Sequence, residues 1–187
     1  SVGVTGGQLD LNGHTARLVG SLATTGTGTL RMANALDSLR IEHGSGDGGD
    51  AIFGGGSTTG LLTAGRLLVQ RTIAAAGGSP AAFSASGSHR TVLTGLVTIA
   101  MVDSVNSGFA DLDLNGQNLS AAAAIPVRGT LISTPGTPTF SLAGHRLSAA
   151  GVNVSGGTIG GGSVAIGNGT ITRFDNLTFV GQASSDV

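Results

Sequence analysis

The chain has 187 residues, of which 34 are Gly and 40% are apolar, and its 3% of aromatics are all Phe. Without Cys it can form neither disulfides nor thiolate metal sites. Nine Arg and no Lys stand against ten acids, for a formal charge of −1. The arginines are spread almost evenly, so no basic face suited to nucleic acid is expected.

The elements predicted along the chain are short strands. Leu9-Asp10-Leu11, Leu30-Arg31-Met32 and Leu39-Arg40-Ile41 alternate apolar and polar residues. That period of two marks a half-buried strand. Met32 to Leu39 carries a weak helical spacing, but its Gly-rich flanks predict no more than a turn. Thr24, Thr25, Thr27 and Thr29 are expected on an outward face. Residues 44–60 are almost entirely Gly, Ser, Asp and Thr and predict a projecting loop insertion. Residues 77–90 and 133–138 also read as turns or loops. Leu112-Asp113-Leu114, Val152-Asn153-Val154 and Val164-Ala165-Ile166 resume the alternation. Residues 121–124 predict an extended run before Pro126.

One pattern recurs. LDLNG spans 9–13 and 112–116, and FSLAG spans 140–144. Each is followed by a Gly-Thr-Leu or Gly-Thr-Ile step, at 28–30, 129–131 and 157–159. Superposing the three predicts a coil of about 28 residues, the distance from Leu112 to Phe140 and from Leu39 to Leu67. A repeat of short strands and tight turns cannot bury its own inward side chains, so the coils must stack. The fold class expected is all-β: a right-handed parallel β-helix with irregular loop insertions, forming one domain over 1–187. The rival is a β-sandwich, in which Asn12-Gly13 and Asn115-Gly116 would close hairpins.

Few residues suggest chemistry. SGDGGDAIF, 45–53, resembles the Gly- and Asp-rich nonapeptide of calcium-binding secreted repeat proteins, with Gly46, Gly48, Asp50 and Ile52 matching and Ser45 departing. The resemblance implies a calcium loop in which Asp47 and Asp50 are the ligands, and no other cofactor is expected. A single copy lacks the second turn that completes such a site, so a solvated loop is the competing reading. His14 and His145 follow the strand-ending Gly of their units and read as turn residues, whereas His43 stands beside Glu42. Asp10, Asp111 and Asp113 are the acids best placed for catalysis, but as parts of a repeated strand they read as exposed wall residues. No nucleophile elbow or phosphate loop is present. Asn118, Asn153, Asn168 and Asn176 open N-x-Ser/Thr triplets, which matter only in a glycosylating host. No run approaches the ~20 apolar residues of a membrane-spanning helix.

The Gly-Thr-Ala-Asn mixture, the aliphatic-x-Leu-x-Gly units and the Gly-Thr-Leu steps resemble passenger regions of bacterial autotransporters and large filamentous surface adhesins. The resemblance is one of texture. It implies a β-solenoid exported to the cell surface or the extracellular space, acting as a non-enzymatic spacer, adhesin stalk or filament component. The expected partners are copies of the chain or neighbouring domains of one longer polypeptide, with a glycan or host surface in contact. Ser1 in place of an initiator Met reads as a processed product or a piece of a longer protein. The alternative function is a β-helix that binds or cleaves polysaccharide, which an outward row of Asp, Arg and aromatic side chains would favour.

Overall fold

Alternating residues separated by Gly, Asn and Asp give strands mostly three to five residues long, because each run ends where the chain must turn. A computed structural model describes residues 1–46, 48–75, 82–101, 107–133, 136–181 and 184–186. The chain winds into a β-solenoid of about 8 turns, with no helix among the described residues. Every strand pairing among the described residues is parallel, which excludes the antiparallel sandwich.

Each coil contributes to three walls. Wall A begins with Val2–Val4, Leu22–Thr25 and Ala51–Gly54, and continues through Thr72–Ala75, Val97–Met101, Leu119–Ala121 and Thr139–Ser141. Wall B runs from Thr15–Val19 through Ser38–Glu42, Arg66–Val69, Arg90–Leu93 and Asp111–Asp113. Wall C begins with Gln8–Asp10 and Thr29–Arg31 and narrows to single bridges at Leu62, Ala85 and Gly108. It widens again toward Ser163–Ile166. The later strands Ile125–Ser133, Arg146–Gly160 and Ile171–Val180 bend through corners without interruption.

The recurrent motif is real, but it is not one coil laid on another. Leu9 lies in wall C, Leu112 in wall B and Phe140 in wall A. The motif is a portable corner that serves all three kinds of bend. In each copy an N–H closes back on a leucine carbonyl: His14 on Leu11 at 3.0 Å, Gln117 on Leu114 at 2.7 Å and His145 on Leu142 at 2.8 Å. The two central residues have positive φ: Asn12 47° and Gly13 84°, Asn115 49° and Gly116 71°, Ala143 49° and Gly144 85°. That is a type I′ turn, which Asn-Gly favours sterically. Leu11, Leu114 and Leu142 plug the core at these corners.

The Gly-Thr-Leu steps mark the true coil. Leu9 pairs with Leu30, Leu112 with Leu131 and Phe140 with Ile159. Each motif is therefore covered by its own Gly-Thr step one coil later. A coil near Asp111 takes 19 residues, against 29 between Ser21 and Asp50, where the corner is longer. The 28-residue spacing holds only for Leu39 and Leu67, which do pair. The glycine of each step is sterically required. A Cβ on Gly129 would come within 2.5 Å of Asp111 Oδ1, and one on Gly157 within 2.5 Å of the Pro138 carbonyl. At Gly28 it would overlap the Val4 carbonyl.

Two further expectations are corrected. The span 44–60 is not all loop: Ala51–Gly54 is a wall strand that buries Ala51 and Phe53. Its Ala-Ile-Phe alternation is masked by the glycines on either side. Thr24 does not face outward but is buried, and Thr29, in register with the exposed Gln8, lies on the outward side yet is covered. Thr24 stacks on Phe53 and accepts the Gly55 N–H at 3.2 Å, which satisfies its hydroxyl inside the wall.

The core is a set of ladders. Leu39, Leu67, Thr91, Leu112, Leu131 and Val152 form one column, and Leu22, Ala51, Ile73, Ile99 and Ala121 another. Phe53, Phe83 and Phe109 stack along the axis with ring centroids 4.8 and 5.2 Å apart. Each is fully buried, so Phe83→Ala opens a cavity between two rings. Its stability in urea is expected to fall by about 3–5 kcal/mol. Gly28→Ala is expected to be strongly destabilising in the same assay. Gly3→Ala, where nothing lies within 4 Å of the new methyl, should match the unsubstituted chain.

Candidate functional site

The acids singled out by sequence are corner and wall residues. Asp10 Oδ1 accepts the Asn12 N–H at 3.0 Å, and Asp113 Oδ1 accepts the Asn115 N–H at 2.9 Å. Each carboxylate thus holds the type I′ turn that follows it, an Asx-type role. Asp10 also pairs with Arg31 at 2.6 Å, and that hydrogen bond holds its carboxyl below the usual aspartate range. Asp111 Oδ1 accepts the Thr130 N–H of the next coil at 2.8 Å. Asp111 and Asp113 both lie just under 4 Å from Arg90. Asp10 lies in wall C and Asp113 in wall B, coils apart, so the repeated pair does not converge.

Of the predicted calcium ligands, Asp47 lies outside the described residues. Asp50 accepts the Ser21 hydroxyl at 3.2 Å, and its own carbonyl accepts the Leu22 N–H at 2.9 Å, which ties it to the coil before. No group of three or more His, Asp or Glu converges among the described residues.

His14 and His145 close their turns through the backbone, as their repeat position suggests. His43 is exposed, and its N–H reaches Gln70 Oε1 at 2.6 Å. His89 is different. Its N–H also closes a four-residue turn, on the Ser86 carbonyl at 3.2 Å and with positive φ at Gly87 alone, yet its ring is fully buried and neither nitrogen has a hydrogen-bond partner among the described residues. Burial alone lowers its pKa to about 4.

Sequence reading also missed two polar residues that fasten corners. Asp37, 1% exposed, accepts the Gly13 N–H at 2.6 Å and the Asn34 N–H at 2.9 Å, one from each of two coils. Asn34-x-x-Asp37 was the available signal. Arg128 reaches back from its own coil to Ser84 Oγ at 2.8 Å and to the Ala85 and Ser107 carbonyls at 3.3 and 3.4 Å. It staples wall C where that wall is reduced to bridges. Nothing local in the sequence points to it.

Outward charges pair across and along coils. Glu42 binds both Arg17, at 2.5 Å, and Arg40. These contacts, Arg17's first, hold the Glu42 carboxyl below its ordinary value. Arg173 and Asp175 pair at 3.1 Å near the other end. Comparison with known proteins returned no match to any family model, curated protein or solved structure.

His89 gives the fold a pH dependence. The unfolded imidazole titrates at 6.5 and the folded one at about 4. Between those values the unfolded chain binds a proton that the folded chain excludes, so stability rises with pH through this window. The expected loss on acidifying from pH 7.5 to pH 4.5 is up to about 3 kcal/mol. Urea titrations at the two pH values should show it. His89→Leu should remove that part of the slope, and an unchanged slope in the variant would assign the loss to other groups.

Proposed function

We propose that this domain is a non-enzymatic structural module: a rigid coil stack that serves as spacer, stalk or filament component of a secreted or cell-surface bacterial protein. The observation that carries the reading is the distribution of its surface. The strands along the side walls are paired, and both ends of the stack expose apolar side chains, while Leu36 and Leu96 are exposed at corners between them. At one end Val2 is 40% exposed, and an apolar hollow of about 190 Å³ is lined by Leu9, Leu11, Leu18 and Leu22 among others. At the other, Ile171 is 47%, Phe179 38% and Val180 45% exposed. Both ends also offer strand edges, which are templates for further coils. The Gly-, Thr- and Asn-rich texture shared with surface adhesins supports the extracellular placement.

Both ends carry an arginine–carboxylate pair on wall B. In the first coils, Arg17 sits over Arg40 and binds Glu42 two residues on. The last described coils repeat the lower half of that arrangement as Arg173 and Asp175. Arg173 stands in register with Asn153 of wall B, and Asp175 with Ser155.

Light scattering and electron microscopy test this. The chain is expected to form particles that lengthen with concentration at constant width. Phe179→Asp should leave single units with unchanged circular dichroism. A chain that stays monomeric at every concentration would remove the filament reading.

A further inference from the structure

One outward column of wall B carries like charges on adjacent coils. Ser38, Arg66, Arg90 and Asp111 stand in register, each paired with the next. Neighbouring parallel strands lie about 4.8 Å apart, so Arg66 and Arg90 share one stretch of surface. Arg90 has the Asp111 and Asp113 carboxylates at 3.8 and 3.9 Å, too long for hydrogen bonds. Arg66 is exposed and makes no ion pair or side-chain hydrogen bond with any described residue. Elsewhere on this molecule adjacent arginines are joined by an acid, as Arg17 and Arg40 are by Glu42. Here that acid is missing.

In its place is a hollow of about 160 Å³ lined by Ala35, Gly65, Arg66, Ser88 and Arg90. Its shape follows from the corner beneath. The Arg66 N–H bonds the Asp37 carbonyl and the Arg90 N–H bonds the Gly65 carbonyl, so Asp37, Gly65 and His89 stack as one corner column. Gly65 has φ +78°, and a Cβ there would lie 2.6 Å from the Asp37 carbonyl oxygen and 2.8 Å from the Asp37 Cβ. The column must therefore drop a side chain at this coil. The gap opens between the turns that carry Ala35 and Ser88, with Arg66 and Arg90 in its lining.

We infer that this notch binds a tetrahedral oxyanion, a sulfate or phosphate group, through Arg66, Arg90 and the Ser88 hydroxyl. Arg66 brings a charge with no carboxylate beside it, and Arg90 one whose carboxylates stand beyond hydrogen-bond distance, so both can donate to an anionic oxygen. Guanidinium groups donate paired hydrogen bonds to such oxygens, and a hydroxyl adds a third direction out of their planes. The group can arrive as a free ion or as a sulfate ester on an acidic glycan. The assignment does not depend on end-to-end assembly.

The test is a titration of the whole chain with sodium sulfate at constant ionic strength, followed by amide and Arg Nε–H nuclear magnetic resonance. Saturable shifts are expected at Gly65, Arg66 and Ser88. Arg66→Gln and Arg90→Gln should each weaken binding roughly tenfold or more, the scale of one lost charged hydrogen bond. Arg173→Gln, remote from the notch, should leave it unchanged. Dextran sulfate binding more tightly than inorganic sulfate supports the notch with an ester as ligand. Equal or weaker binding supports it with the free ion, and unsulfated dextran should cause no shift. Shifts that drift without saturating, or an affinity unaltered in Arg66→Gln, would overturn the assignment.

Discussion

One coil of this chain cannot bury its own inward side chains. Every other feature depends on that constraint. Burial comes only from the coil above and the coil below, and the same neighbours complete the backbone hydrogen bonds of each strand. Stability is therefore shared between adjacent coils, as in other repeat architectures. It requires the coils to approach at strand spacing everywhere, including the corners. Gly28, Gly129 and Gly157 stand where the backbone of the neighbouring coil leaves no space for a Cβ. The abundance of glycine thus has a specific steric cause, beyond general flexibility.

The corners explain why the recurrent motif and the coil differ. A three-walled coil needs three bends, and a type I′ turn closed by a buried leucine makes any of them. The chain uses that solution after walls A, B and C alike. Period-two alternation and Asn-Gly turns were legible in the sequence, as was the recurring Gly-Thr step, and together they specify a parallel stack. Coil length was not legible, because identical corners invite superposition of units that lie on different walls. Ala51–Gly54 was hidden because a strand of three apolar residues carries little signal inside a glycine-rich span. The burial of His89 had no signal at all. It shares a turn position with the exposed His14, and only the neighbouring coils separate the two.

The polar residues follow the same logic. Asp10 and Asp113 hold turns, Asp37 and Arg128 tie coils together, and Glu42 neutralises two stacked arginines. These carboxylates are committed to donors within the scaffold. Cross-strand pairs of opposite charge are favourable and like pairs are not. Arg17 over Arg40 and Arg66 over Arg90 both set like charges in register, but only the first pair is joined by a carboxylate, and the second stands beside a hollow. This departure from the scaffold's own pattern is where ligand chemistry is best sought.

The central claim is that parallel coils stack with Leu9 on Leu30, Leu112 on Leu131 and Phe140 on Ile159. Through-space nuclear magnetic resonance contacts between backbone protons test it most directly. The account predicts parallel-strand contacts linking each motif to its Gly-Thr step one coil later, and linking Thr98 to Ser120 in wall A. Close Hα–Hα contacts between sequence-adjacent segments, the mark of antiparallel hairpins, would contradict it.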